Sequence, residues 1–172
     1  MYIAAQVVGV LAVVLFAFSY QLKKRSNIII LNAISNLLYM IQYILLGAFD
    51  GAAMNVLTAT SGICAGNKGR KFIKKHTKLI ISAFCLGITI TGSIFYKNIF
   101  SISSIIAALL QAVALWVTNE KYIRYLSFCA TPFWLIFNIA NQAFGSILGN
   151  IMAFVSIGLA IYRYDLRKKD EI

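Results

Sequence analysis

The run YLSFCATPFWLIFNIANQAFGSILGNIMAFVSIGLAIY, residues 125–162, carries no charged side chain. As a single helix its 38 residues would reach about 57 Å at 1.5 Å per residue, nearly twice the roughly 30 Å hydrocarbon core of a bilayer. The run must therefore fold back on itself. Its small and polar stretch Asn141-Gln142-Ala143-Phe144-Gly145-Ser146 supplies the turn. Two membrane helices result. Outward from this run lie five further charge-free windows, 1–22, 26–49, 51–67, 79–96 and 98–119. Each falls near the roughly 17–25 residues that one spanning helix needs. The expected fold is an all-α membrane protein with seven transmembrane helices.

The composition agrees. Of 172 residues, 60% are hydrophobic and 12% charged, against about 45–50% and about 25% in a soluble domain. So few charges cannot clothe a water-facing surface. The first window is not read as a secretory signal, because Met1-Tyr2-Ile3 has no basic leader and Lys23-Lys24-Arg25 follows the apolar run. Cys64, Cys85 and Cys129 each fall inside a span and form no metal or disulfide pattern, so they read as small packing residues. No cofactor is expected.

The net charge of +11 does not point to nucleic acid, because its placement already has a cause. With seven crossings, Lys23, Lys24 and Arg25, the segment Lys68 to Lys78, Lys121 and Arg124, and Arg163, Arg167, Lys168 and Lys169 share one face of the bilayer. Only Lys97 sits on the other. Basic loops remain cytoplasmic, which places the N-terminus outside and the C-terminus inside. The basic loop also offers a surface for anionic headgroups.

A shift of 95 positions superimposes the two ends of the chain. Ala48-Phe49 falls on Ala143-Phe144, Asn55 on Asn150, Ser61 on Ser156, Ile28 on Ile123 and Tyr39 on Trp134. Two three-helix units, each odd in number, keep the same orientation only if one extra helix joins them. The expected layout is thus a 3+1+3 parallel repeat of the kind found in SWEET transporters. Residues 1–67 form the first repeat, 68–97 the basic loop and linker helix, and 98–172 the second repeat with a short basic tail.

Polar residues mark the candidate site. Asn32, Asn36, Tyr39 and Tyr43 form one stripe on the second helix of the first repeat. Ser127, Thr131, Trp134 and Asn138 form the matching stripe in the second, extended by Asn141. Polar groups within lipid turn toward a bundle interior or a wet cavity. Asn55 and Asn150, near the outer ends of the third helices, present two symmetry-related carboxamides as donors and acceptors. The substrate-binding candidates are Asn55, Asn150, Asn32, Asn36, Tyr39, Thr131, Trp134 and Asn138. The bland alternative is interhelical hydrogen bonding without a ligand. The glycine pairs Gly47 and Gly51, Gly62 and Gly66, and Gly145 and Gly149 suit close helix packing within one chain. Pro132 removes a helix donor and frees the carbonyl of Phe128, so a bend is expected there.

The motifs Val8-Gly9-Val10-Leu11-Ala12, Ser19-Tyr20-Gln21-Leu22-Lys23, Leu45-Leu46-Gly47-Ala48 with Gly51-Ala52, and Trp134-Leu135-Ile136-Phe137-Asn138 before Gly145-Ser146-Ile147 resemble the YgjV family of bacterial inner-membrane proteins. The resemblance spans nearly the whole chain and implies placement in that membrane, not a mechanism. More distantly the layout is similar to SWEET sugar transporters, PnuC vitamin transporters and the KDEL receptor. SWEETs use paired asparagines on their third and seventh helices, where this chain has Asn55 and Asn150. SWEET-like and PQ-loop proteins also carry a proline on the first helix of each repeat, which this chain lacks.

Two functions follow as expectations. The first is a facilitative transporter of a small neutral polar solute, uncoupled because no span holds Asp or Glu and Asp50 sits at an external turn. The second is a non-transporting membrane receptor or scaffold working through the basic loop, Lys68 to Lys78. An enzyme is not expected. The only histidine, His76, lies among lysines, and Glu120, Asp165, Asp170 and Glu171 are scattered on flanks.

Overall fold

The structure is a computed structural model that describes residues 2–167. Lys168, Lys169, Asp170 and Glu171 lie outside the described residues. Among the described residues there are eight α-helices and no strand: α1 (Tyr2–Ser19), α2 (Arg25–Leu45), α3 (Phe49–Gly66), α4 (Lys71–Lys75), α5 (Thr77–Ile94), α6 (Ile99–Trp116), α7 (Glu120–Ala140) and α8 (Phe144–Ile161). A π-helical turn, Tyr162–Leu166, continues α8.

Six helices are long and apolar enough to cross a membrane: α1, α2, α5, α6, α7, and α8 with its π turn. The seventh expected span, α3, is not among them. It has 18 residues, as α8 does, but Asp50, Asn55, Thr58, Thr60 and Ser61 lower its hydropathy. The physical reason is its position. α3 packs against α2, α5 and α6, so Asp50, Asn55, Thr58 and Ser61 are buried in protein, while Thr60 faces outward with its hydroxyl bonded to the Val56 carbonyl. Two charged groups also depart from expectation. Asp50 is not at an external turn but within the first turn of α3, 2% exposed. Arg124 lies inside α7, buried, and not between helices.

The helices close a ring. In the order α1, α2, α3, α6, α7, α8 each packs on the next, and α8 returns to α1. α5 lies outside against α3 and α6, burying only Ile88 and Gly92. Large apolar residues such as Ile3, Leu86, Ile94, Leu148 and Leu159 face outward, as a lipid solvent requires. The free cysteines Cys64 and Cys85 are half-buried, and Cys129 is exposed.

The glycines act within the chain. A Cβ on Gly149 would lie 2.1 Å from Cγ2 of Val13, so only glycine lets α8 close on α1. Gly92 brings α5 onto α6 in the same way, at 2.3 Å from Ile105. Helix lengths repeat as well. α2 and α7 both have 21 residues and start 95 positions apart; α3 and α8 both have 18 and start 95 apart. The turns between them carry left-handed backbone at Gly47 (φ 71°) and Gln142 (φ 52°), again 95 apart.

Cations, from partly buried to buried, tie the helix ends where the basic residues lie. Arg25 donates from Nε to the carbonyl of Val117 at 2.9 Å and from Nη2 to that of Leu115 at 2.6 Å, binding α2 to the open C-terminus of α6. Lys68 donates to Thr118 Oγ1 at 2.9 Å. Desolvation, reinforced by Arg25 and opposed by Glu120, holds the Lys68 pKa below its ordinary value. On the opposite side of that end Arg124 pairs with Asp165 at 3.0 Å, with both side chains about 5% exposed. Asp165 is therefore a buried partner, not a flanking acid.

Candidate functional site

The center of the ring holds a closed cavity lined by Phe16, Asn36, Tyr39, Tyr43, Asn55, Trp134, Asn138 and Asn150. Its free volume for water centers is about 10 Å³, on the order of one water molecule. Five helices build it. α2 supplies Asn36, Tyr39 and Tyr43 at helical spacing, so the three share one face. α7 supplies Trp134 and Asn138, also four apart. α3 and α8 supply Asn55 and Asn150, each six residues beyond the first residue of its helix. α1 adds Phe16.

One wall is aromatic. The Tyr43 ring lies nearly parallel to Trp134, 6.4 Å between centroids at 18°, and to Tyr39, 6.3 Å at 22°. Phe16 meets Tyr39 edge-on at 6.4 Å and 73°. Offset-parallel and edge-to-face pairs are the arrangements that ring quadrupoles favor. The Tyr43 hydroxyl donates to Asn138 Oδ1 at 2.5 Å, so α2 and α7 meet across the center. These two residues are themselves 95 positions apart.

The other wall is carboxamide, and the four asparagines differ. Asn36 donates to the carbonyl and Oδ1 of Asn32 at 2.8 and 3.0 Å, and Asn55 donates to the carbonyl of Gly51 at 2.8 Å. Asn138 accepts from Tyr43. Nδ2 of Asn150 has no protein partner, and neither has the hydroxyl of Tyr39. A buried polar group left without a partner costs about 1–3 kcal/mol. The cavity therefore presents two donors that a bound acceptor would satisfy.

Six of the eight candidate residues line the cavity: Asn36, Tyr39, Asn55, Trp134, Asn138 and Asn150. Asn32 and Thr131 do not. Asn32 lies one turn behind Asn36, where it donates to Tyr20 Oη at 3.0 Å and accepts from Gln111 at 3.1 Å. Its role is to hold Asn36 from behind. Thr131 donates to the carbonyl of Ser127 at 2.8 Å and faces a groove between α7 and α8. Asn141 caps its own helix by donating to the carbonyl of Phe137 at 3.0 Å.

Sequence reasoning passed over Phe16, Gln42 and Gln111. Phe16 carries no polar signal on an apolar helix. Gln42 is fully buried and bridges α2 to α8 by accepting from Ser146 Oγ. Gln111 donates to Tyr20 Oη at 3.0 Å, linking α6 to the end of α1. Both glutamines stand alone in apolar surroundings, the one signal that could have marked them. The eight lining residues include no Asp or Glu. Among the described residues no group of His, Cys, Asp and Glu could hold a metal ion.

A family model, Imp-YgjV, described as bacterial inner membrane protein, matches residues 3–168. No curated protein and no solved structure matches the chain.

Proposed function

Because the chain belongs to that Imp-YgjV family of bacterial inner membrane proteins, its helices cross the inner membrane several times, and we propose that it is a facilitative transporter of a small neutral polar solute. In this reading the chain is a seven-helix 3+1+3 parallel repeat: α1–α3, the linker α5, and α6–α8. The N-terminus is outside and the basic end is cytoplasmic. α3 serves as the seventh span because most of its polar side chains are buried against neighboring helices.

One observation carries the reading. Residues 95 apart converge at the center: Asn55 with Asn150, Tyr39 with Trp134, and Tyr43 hydrogen-bonded to Asn138. Only near a two-fold axis do equivalent positions of two repeats touch each other. A cavity on such an axis, between halves joined along two seams, suits alternating exposure to either side. The seams are α1–α8 and α3–α6. The present arrangement is closed at both ends. On one side Gly145 N–H donates to Gln6 Oε1 at 2.7 Å and Ser101 donates to Asp50 at 3.2 Å; on the other Gln21 donates to the Ser156 carbonyl at 2.9 Å. The lining suits a neutral solute, because no charged side chain faces the cavity.

Flux of labelled neutral solutes in proteoliposomes tests this. Asn55→Ala with Asn150→Ala should abolish flux of a transported solute while the protein still folds. Equal flux in wild type and double variant would remove the site. The receptor reading differs in its working surface. There, neutralizing Lys71, Lys74 and Lys75 on α4, which buries none of its residues, would abolish function and leave the cavity variants intact.

A further inference from the structure

We propose that the groove between α7 and α8 is a lateral portal to the central cavity, holding an amphiphile with one hydrocarbon chain whose neutral hydrogen-bonding head reaches Asn150. The groove has a volume of about 310 Å³ and is lined by Thr131, Pro132, Leu135, Asn150, Phe154 and Val155, among others. It opens to lipid, since Ile151 and Val155 are about half exposed. Asn150 is the residue common to groove and cavity. It is 5% exposed and its Nδ2 has no partner.

The two halves differ here. In the first, Asn55 spends the equivalent amide on the Gly51 carbonyl one turn back. Asn150 makes no such bond to Ser146 and leaves its donor available. Leu37 occupies the first-half position of Pro132. Pro132 has no N–H, so the Phe128 carbonyl, one turn earlier on the same face, loses its helical donor. Phe128 also stacks on Phe154 at 4.1 Å, which places that face against α8. The second half thus sets an unpartnered donor on the residue that an apolar groove shares with the cavity. In hydrocarbon such a donor is costly, and a plain acyl chain cannot relieve it. A hydroxyl, ester or amide head can. The head is neutral because neither groove nor cavity lining contains a charged side chain. This inference rests on the central cavity being a binding site.

The test uses the full chain carrying Trp116→Phe, which leaves Trp134 as the sole tryptophan, in phosphatidylcholine nanodiscs. The probe is a 1-monoacylglycerol brominated midway along its chain, a quencher of nearby tryptophan. Expected is saturable quenching of Trp134 that free glycerol does not compete. Asn150→Leu should raise the half-saturating fraction at least tenfold. Val155→Phe, placed on the exposed rim where folding is not at stake, should do the same by filling the groove. Equal quenching by brominated phosphatidylcholine, unchanged in Asn150→Leu, would make the groove ordinary lipid-facing surface and overturn the proposal. Competition by free glycerol with no effect of Val155→Phe would overturn the portal while sparing the polar-solute site. No saturable quenching in a protein that still loses solute flux on Asn55→Ala with Asn150→Ala would overturn the amphiphile alone.

Discussion

Removing one oxygen from the center of the ring, by Tyr43→Phe, probes both the repeat and the cavity. Tyr43 and Asn138 are each about 1% exposed, and the hydroxyl donates to Asn138 Oδ1 at 2.5 Å. Among the described residues no other donor reaches Asn138 Oδ1, so the variant leaves a buried carboxamide acceptor without a donor. In water-soluble proteins such a loss costs about 1–3 kcal/mol. Polar pairs within membranes are weaker, averaging about 0.6 and reaching about 1.7 kcal/mol in double-mutant cycles. The ring stacking of Tyr43 on Trp134 and Tyr39 survives in phenylalanine, so the packing contribution changes little. The expected cost of Tyr43→Phe is about 1–2 kcal/mol. The coupling with the near-isosteric Asn138→Leu should be about 1 kcal/mol. Reversible unfolding in mixed micelles, measured on both single variants and the double, gives that coupling. Contacting residues couple by about 0.5 kcal/mol or more, whereas independent sites add within about 0.3–0.5. An additive cycle would show that α2 and α7 do not meet through this bond, and the proposed two-fold center would go with it.

Gly149→Ala should destabilize by about 1–3 kcal/mol, because its Cβ would fall 2.1–2.3 Å from Val13, and Val13→Ala in the same chain should restore much of the loss in thermal unfolding. Arg124→Met leaves Asp165 buried and unpaired; a loss of about 3 kcal/mol is expected, and Asp165→Leu added to it should recover most of that, since a vacant charge partner costs more than an apolar pair. Asp50→Asn keeps an oxygen for the Ser101 hydroxyl and removes a buried charge, so solute flux should persist and an imposed proton gradient should drive no uphill accumulation in either form. Uphill accumulation in wild type that disappears in Asp50→Asn would reverse the uncoupled reading.

Much of the architecture was legible before any coordinates. Charge is costly in hydrocarbon unless it is paired or covered by protein, as Arg124 and Asp50 are, so charge-free windows trace most of α1, α2, α3, α5, α6, α7 and α8 by one-dimensional reading. The matching register of α2 with α7 and of α3 with α8 was visible for a related reason: side chains that face a shared interior keep their spacing. Asn36, Tyr39, Asn55, Trp134, Asn138 and Asn150 were found on that basis. Thr131 shares the α7 stripe with Trp134 and Asn138, but its hydroxyl bonds the Ser127 carbonyl and it lines the α7–α8 groove one turn along, a difference that helical spacing does not reveal. Asp50 was misplaced because a carboxylate next to a turn reads as solvated until α6 is seen to cover it.

What the chain alone determined is its solvent and its apolar helices, both set by local transfer free energies that depend on residue type. Which polar groups end up satisfied was decided only in three dimensions. Asn55 and Asn150 are the same residue at the same register, yet one amide is bonded to its own helix and the other is left open beside a proline-interrupted groove. Hydrogen bonding depends on where a partner lies to within a few tenths of an ångström, and that is a property of packed helices, not of a string of residues.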